Sequence, residues 1–483
     1  MRALLAFTGS RGDAQPGILL ARALRERGHE VTLALAPNLV AFALDHGVPA
    51  VPFGCDTGDL LHAQRTDERF AARDPRARSR ALFELQRRGV PEALADLRAL
   101  APGHDVVVAG MAGEELAESV ARSIGVPFAA VHFFPIHPNS AVPVVPTRWA
   151  ARLPGVVHRW GWSMLARARA AALSPVLPAD LDPATPSVRI QAYDPDLFPG
   201  LRAELPGPFA GFPIDVDGLL RDRTSGVRIT PNGSVTSTRP GEDSWDLPPS
   251  ATTRPLADES STAPMGPNTD TLSTSTSAWG TEFGAQLVID SATTVFDVDH
   301  ALHAWLESGT APIYVGFGSM DVGDPVAFVA MLRAVCAARG RRLLLASGWA
   351  DIAPGIDDQV AVVGQVDHAR VLPQCVAAVH HGGAGTTAAA LRAGVPQVIC
   401  SVQADQPYWG QALQRLGLAA TTPARTLTAA KLTALLDLVA APEVGRRAAN
   451  WAAGLRTDGV ARTADAVEHL LDTAEIHTAG RLQ

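Results

Sequence analysis

The stretch 379–411, VHHGGAGTTAAALRAGVPQVICSVQADQPYWGQ, gathers the side chains with the most chemistry to offer. Two imidazoles, His380 and His381, precede Gly382, Gly383 and Gly385, and Thr386 and Thr387 follow. Glycines at such a turn let a ligand approach the main chain closely. The alanine-rich AAALRA that comes next favours helix and stops at Gly394, while the apolar run Ala377–Val379 before it reads as a buried strand. A strand, a glycine turn and a helix start make an anion site, because free amides and the positive end of the helix dipole converge there. A second strand, Gln397–Ser401, runs into Ala404, Asp405, Gln406 and Pro407. In a parallel sheet both loops lie at the carboxyl edge of neighbouring strands, where ligands bind. One loop brings an imidazole and amides, the other a carboxylate and an amide, a combination that suits a diphosphate joined to a polyhydroxylated group. The plain alternative for the glycine loop is a structural strand–helix turn, since Gly383-x-Gly385-x-x-Ala388 alone is a weak fingerprint.

The elements that must position these residues come in two series. RALLAF (2–7) reads as a first buried strand, and the loop from Thr8 to Asp13 leads into a helix carrying Pro16 in its first turn and ending at Gly28. Glu30–Ala36 and Asn38–His46 continue as strand and helix, a doubly wound opening. Strands follow at Asp105–Ala109 and Pro127–Phe133, joined by a helix over Glu114–Ile124, and Val188–Tyr193 and Pro208–Phe212 close this part. His132 and His137 stand at its carboxyl edge, where core or loop histidines are the commoner reading. The second series has a helix at Ala301–Glu307 and strands at Pro312–Phe317, Arg342–Ala346 and Val360–Val363, ahead of the two already described. Leu427–Ala440 and Val444–Thr473 read as helices. Trp149–Ala172 is an amphipathic stretch rich in arginine and tryptophan, fit for a membrane surface, an apolar acceptor, a lid or an ordinary surface helix.

Composition narrows the classes. A chain of 483 residues, 47% hydrophobic and 19% charged, fits a globular enzyme of more than one domain. A formal charge of −8 argues against non-specific nucleic-acid binding. No apolar run reaches the roughly 18 residues of a membrane helix. Ala3–Phe7 is shorter than the roughly 7–15 residues of a signal-peptide core, so cytoplasmic placement is the default expectation. Cys55, Cys336, Cys375 and Cys400 are widely spaced and read as small buried hydrophobes. Lys431 is the only lysine, which removes P-loop chemistry and makes a Schiff base a poor fit; the arginine bias itself reads as codon usage.

HHGGAGTT followed by RAGVP and DQPYWG, together with SRGDAQP (10–16) and PIYVGFGSM (312–320), resembles the signatures of the inverting glycosyltransferases of family 1, in the bacterial glycopeptide and macrolide branch and the sterol glucosyltransferases. The resemblance covers nearly the whole chain. It implies an α/β fold of GT-B type, two facing Rossmann-like doubly wound domains with a cleft between them: an acceptor domain over 1–215, a linker over 216–294 and a nucleotide-sugar domain over 295–483. It also implies that the last helix crosses back to the first domain. His381 then contacts the diphosphate, with Gly383, Gly385, Thr386, Ser319, Ser10 and Gly12 around it, and Asp405 and Gln406 hold hexose hydroxyls. Gln365, Val366 and His368 fall where the family holds the base, largely through backbone. Ala389 replaces the ribose-binding glutamate of plant relatives, which leaves UDP and dTDP donors both open. His380 reads as a core residue.

Asp13 is the candidate general base, with helix capping as the bland alternative, and a helix start should keep it ionised. The expected reaction moves a hexose from a UDP or dTDP sugar to a hydroxyl of a lipophilic or natural-product acceptor. It calls for no cofactor, no metal and no nucleic-acid partner, and for peripheral membrane contact at most. An epimerase or hydrolase on the same fold, and a degenerate GT-B protein that only binds nucleotide, are the competing readings. The former would form products without acceptor, and the intact motifs count against the latter.

The linker departs from the family pattern. From Arg221 to Gly280, Ser, Thr, Pro and Gly supply 33 of 60 residues, too little apolar surface to offset ordering entropy. It reads as a disordered insertion between two complete domains. Deleting residues 222–277 should therefore leave folding and donor affinity intact, as melting curves and calorimetry on the shortened chain would register.

Overall fold

The computed structural model describes residues 1–67, 87–147, 149–174, 185–214, 298–318, 324–348, 352–364 and 366–481, a few isolated positions between 69 and 85 and at 177, and two short strands within 227–237. The chain divides into a unit formed by Met1–Arg223 with Val298–Gln483 and a unit spanning Thr224–Asp297. In the latter, β7 (Val227–Ile229) and β8 (Val235–Ser237) pair antiparallel; the rest of the expected insertion lies outside the described residues.

The larger unit holds two sheets. The first contains β1 (Arg2–Phe7), β2 (Glu30–Leu35), β3 (Ala50–Pro52), β4 (Val106–Gly110), β5 (Phe128–His132) and β6 (Ser187–Gln191), in the spatial order β3-β2-β1-β4-β5-β6, all parallel. The second contains β9 (Ile313–Gly316), β10 (Leu343–Ala346), β11 (Gly355–Ile356), β12 (Val360–Val363), β13 (Ala377–His380), β14 (Gln397–Ser401) and β15 (Ala419–Pro423). Its order is β11-β12-β10-β9-β13-β14-β15, parallel except for the β11 edge. Strand order reverses between β1 and β4 in one sheet and between β9 and β13 in the other, the two crevices where doubly wound sheets take ligands.

Burial explains why these runs became strands. β4, β5, β9, β10, β12, β13 and β14 are buried at every residue, as expected of parallel strands covered on both faces. Period-two alternation splits each strand between two cores. Leu5 and Phe7 of β1 pack with Ile18 and Leu24 on one face, while Leu4 and Ala6 meet Phe128 and Leu97 on the other. In the second sheet Ile313 and Val315 face Leu332 and Leu436, and Tyr314 faces Trp305 and Leu372.

The C-terminal helix Gly459–Arg481 returns to the first sheet. Its Ala464, Val467 and Leu470 join the core that holds Leu5, and Arg27 of the first lobe pairs with Asp465 at 2.8 Å and Glu468 at 2.6 Å. The sequence expectation of one helix over 444–473 is corrected to two, Pro442–Gly454 and Gly459–Arg481. The expected strand Pro208–Phe212 is reduced to a single bridge between Gln191 and Phe209.

One buried cation anchors the entry to the second sheet. The Arg342 guanidinium donates to the carbonyls of Trp305, Leu306 and Thr310, at the end of the helix Val298–Glu307, and lies 4.0 Å from the Trp305 ring centroid. The Trp305 carbonyl also accepts from the Ser308 amide and hydroxyl, and a cation at the end of a helix meets the negative end of the dipole. Arg342→Met should remove the guanidinium donor from the Leu306 and Thr310 carbonyls and cost about 1–3 kcal/mol, with Arg342→Lys recovering only part, measured as loss in denaturant midpoint at unchanged slope.

Candidate active site in the cleft between the two sheets

The site is built from four loops at carboxyl strand ends. After β1, Ser10 is the N-cap of the helix Arg11–Glu26 and Asp13 is its third residue. The Asp13 carboxylate accepts from the Ser10 amide at 2.8 Å and the Ser10 hydroxyl at 2.9 Å. Asp13 is thus a capping-box partner, not the N-cap. Gly9, at φ +121°, allows this, since a Cβ there would lie 2.4 Å from the Asp13 carboxylate. Burial pushes the Asp13 pKa up, with the two Ser10 hydrogen bonds opposing. Desolvation outweighs those two bonds, so the carboxyl stands above its ordinary pKa. Gly12 is exposed in the first helical turn.

After β13, His380 and His381 part ways. His380 is wholly buried; its Nδ1 accepts from the Gly382 amide at 3.0 Å, so its Nε2 carries the hydrogen and donates to Gln397 Oε1 at 2.9 Å. Burial lowers its pKa to about 3. It is the structural residue the sequence reading took it for, and it fixes the turn at Gly382, where φ is +92°. His381 occupies space left by two glycines: a Cβ on Gly318 would sit 3.2 Å from its ring and one on Gly383 2.6 Å. Burial lowers its pKa to about 4, a backbone hydrogen bond with Gly316 opposing, so the ring is neutral at pH 7. Its Nδ1 is buried and has no hydrogen-bond partner. Gly383 caps the helix Ala384–Arg392 with no side-chain cap bond. Gly385 is exposed and Thr386 half-buried in the first turn, where amides lack helical partners. Amides at a helix start of this kind favour an anion.

After β14, Ala404 takes φ +54°, in the left-handed region, where a non-glycine residue is uncommon. Asp405 precedes the helix Gln406–Arg415, and its Oδ2 accepts from Trp409 Nε1 at 2.8 Å. Burial raises the Asp405 pKa to about 6; the Trp409 bond opposes, and the nearby Asp13 charge adds to the rise. Asp13 and Asp405, from different sheets, therefore face the same space. Gln406 is buried, its Oε1 accepting from the amides of Val402 and Gln403, so it braces the loop. After β12, Val366 is half-buried and the His368 Nε2 and the Tyr314 hydroxyl are hydrogen-bonded at 2.8 Å. Ser319 and Gln365 lie outside the described residues.

Three residues escaped the sequence reading. Arg11, within SRGD, puts its charge near His368 and Tyr314 of the second sheet. Trp409 is fully buried among Phe134, Tyr193, Phe198 and Phe212 of the first lobe, with centroids 5.3–6.4 Å away. Tyr408 donates to the Val144 carbonyl at 2.8 Å. An indole four residues past Asp405 was the available signal for Trp409.

His132 and His137 belong to another network. Buried His132 donates to Glu114 at 2.9 Å, His137 lies 3.6 Å from the same carboxylate, and the two rings stack at 4.8 Å. Arg189 also reaches Glu114, at 3.3 Å. Burial alone would raise the Glu114 pKa, but the hydrogen bond from His132 and the neighbouring His137 hold it well below the usual carboxylate range. The spacing of these three groups would accommodate a cation, but the Arg189 guanidinium already serves the carboxylate.

Comparison with known proteins fits this geometry. Residues 3–112 match the glycosyltransferase family 28 N-terminal domain, and residues 347–466 the erythromycin biosynthesis protein CIII-like C-terminal domain. An uncharacterized glycosyltransferase of Mycobacterium tuberculosis is 32% identical over 96% of this chain and 97% of its own. The chain belongs to the bacterial natural-product glycosyltransferases of family 1. The vancomycin aglycone glucosyltransferase of Amycolatopsis orientalis is 29% identical, with 95% of each chain covered. Among solved structures, the glycosyltransferase VinC in complex with dTDP superposes with TM-score 0.57 at 19% identity, over 98% of this chain and 100% of that one. The calicheamicin glycosyltransferase CalG4 does so with TM-score 0.58 at 17%, over 98% of each. The fold of this glycosyltransferase is accordingly GT-B.

The raised Asp405 pKa gives a signed prediction for this glycosyltransferase. A carboxyl whose folded pKa lies near 6 stabilises most at low pH and loses that contribution as pH rises toward about 6. Asp405→Asn keeps an acceptor for the Trp409 indole and does not titrate. Between about pH 4 and pH 7 the wild type should lose on the order of 1–3 kcal/mol relative to the variant, read from denaturant unfolding at both pH values; parallel curves would mean that Asp405 titrates normally.

Proposed function

We propose that the protein is an inverting glycosyltransferase moving a hexose from a UDP or dTDP sugar to a hydroxyl of a lipophilic or natural-product acceptor. The observation that carries this reading is Asp13 and Asp405 approaching one space from opposite lobes, beside the uncapped helix start at Gly383 and the unpartnered His381 Nδ1. In this reading the diphosphate lies against the amides of 384–386, the Thr386 hydroxyl and His381, with Ser10 and Gly12 on the loop after β1 and Val366 beside the nucleoside base; a contact from Ser319 is part of the reading but falls outside the described residues. His381 meets a phosphate oxygen at its unpartnered Nδ1, which donates in the tautomer that carries the hydrogen there. Asp405 accepts from hexose hydroxyls, with Gln406 bracing its loop.

Transfer is a single displacement. The acceptor oxygen attacks the anomeric carbon while the bond from that carbon to the phosphate oxygen breaks, and its electron pair leaves on the nucleoside diphosphate. Asp13 takes the acceptor proton, and the anomeric configuration inverts. A raised Asp13 pKa makes it a stronger base than an exposed carboxylate, at the cost of an acid limb in the rate profile above the ordinary carboxylate range. Diphosphate charge is met by preorganised amides and an imidazole, so this reading requires no metal. The VinC structure contains dTDP, and Ala389 is compatible with either nucleotide.

Asp13→Asn tests the role of the base. Asparagine can still accept from the Ser10 amide and hydroxyl, so stability and donor affinity should stay near wild type while transfer falls roughly 10²–10⁴-fold. Activity is first located by screening UDP and dTDP hexoses against acceptors by mass spectrometry, and product configuration by NMR. A stable Asp13→Asn protein with normal turnover, or a product of retained configuration, would overturn the mechanism.

A further inference from the structure

Seven of the fourteen exposed large apolar side chains among the described residues lie within 149–165. They belong to the helix Gly155–Leu173 and the turn before it. Trp149 is 62% exposed, Val156 72% and Trp160 64%, with Met164 and Leu165 also open. Val156, Trp160 and Met164 follow at i, i+4 and i+8, so they share one helical face, and Arg167 falls on the same stripe. The opposite face is seated. Trp162 is buried against Phe134 and Tyr408 and donates to the Val142 carbonyl at 2.9 Å, while Tyr408 of the second lobe holds the Val144 carbonyl. The outer stripe therefore does not serve the core.

Charge selects its occupant. From Thr147 to Ala179 the sequence has five arginines and no acidic residue, in a chain with net charge −8. Arg159 and Arg169 pair with Glu204 and Glu115, but Arg152 and Arg167 are exposed, and no carboxylate of the described residues pairs with either. Trp160 and the unpaired Arg167 on one helical face, with exposed Trp149 and Arg152 in the turn before it, match a bilayer interface, where indoles settle at headgroup depth and guanidiniums meet anionic lipid. A hydrocarbon-only partner would leave the arginines without counter-charge. No helix among the described residues is long and apolar enough to span a membrane, so the contact is peripheral.

We propose that the outer face of the helix Gly155–Leu173 docks on an anionic lipid surface. The inference deepens the reading of a lipophilic acceptor and rests on it: the same helix is packed on the loop that Tyr408 joins to the Asp405 helix, so docking brings the cleft to a lipid-borne hydroxyl.

The test is flotation of the full chain with phosphatidylcholine vesicles, with and without phosphatidylglycerol. Wild type should bind only the anionic vesicles, release with added salt, and show a blue shift in tryptophan emission. W149S/W160S and, separately, R152E/R167E should each lower partitioning about tenfold or more, with melting temperature and nucleoside diphosphate affinity unchanged. Absence of wild-type binding, or binding untouched by either variant pair, overturns the proposal. Self-association abolished by W149S/W160S, without vesicle binding, overturns it in favour of a second copy. Vesicle binding is read without any transfer, so failure of the catalytic reading would appear separately, as a protein that floats but turns over no donor.

Discussion

Everything in the cleft depends on where the indole of Trp409 finds its hydrogen-bond acceptor. A fully buried tryptophan N–H left unpaired costs the desolvation of that group, and the acceptor here is the carboxylate of Asp405. The ring is packed by four aromatic side chains of the other lobe. One residue thus joins the loop after β14 to the interface between lobes. A shift of the first lobe against Trp409 moves the donor atom on which the Asp405 rotamer depends. The unusual Ala404 backbone, next in chain, shows the same constraint from the other side: tertiary packing over-determines the loop and holds a conformation the local sequence disfavours.

The two carboxylates add a cost that the fold absorbs elsewhere. Burial raises both, and the Asp13 charge raises Asp405 further. Unfolded, each would ionise in water at no such penalty, so their placement stabilises nothing at neutral pH. What offsets it is ordinary burial, with two faces of apolar side chains on each parallel sheet, at about 1.5–3 kcal/mol for a fully buried large aliphatic side chain. The helix start at Asp13 illustrates how effects rank: desolvation outweighs the two hydrogen bonds from Ser10, and the pKa is raised.

The sequence disclosed what is local. Buried runs such as RALLAF, VAVV and QVICS became strands with those bounds, because short runs with three to five consecutive apolar residues between turn residues leave few alternatives. Short or polar edge strands were invisible. Gly355–Ile356 is two residues long, and AATTP of β15 carries threonines and a proline that read as loop. Pro208–Phe212 looked like a strand but meets the sheet at one residue only. In the site, glycine loops and carboxylates were legible because their chemistry is carried by residue type. Gln406 as loop brace, Arg11 reaching across the cleft and Trp409 as lobe connector were not, since each is defined by a partner hundreds of residues away or by a backbone amide that has no sequence signature.

Arginine usage makes the same point from composition. The bias looked like codon preference, and a lysine could replace many exposed arginines without loss. It could not replace those that hold several acceptors at once. Arg342 serves three carbonyls and an indole face at once, Arg189 serves Glu114 and Glu118, and Arg27 serves two carboxylates of the returning C-terminal helix and the Ala461 carbonyl. A planar guanidinium with five donors in fixed directions meets several acceptors without turning. An ammonium group is a compact point charge that would have to give up hydration for fewer contacts. At those positions the genetic preference and the geometry agree, and the geometry is what ties the donor sheet's first helix, the Glu114 network and the C-terminal helix into one body.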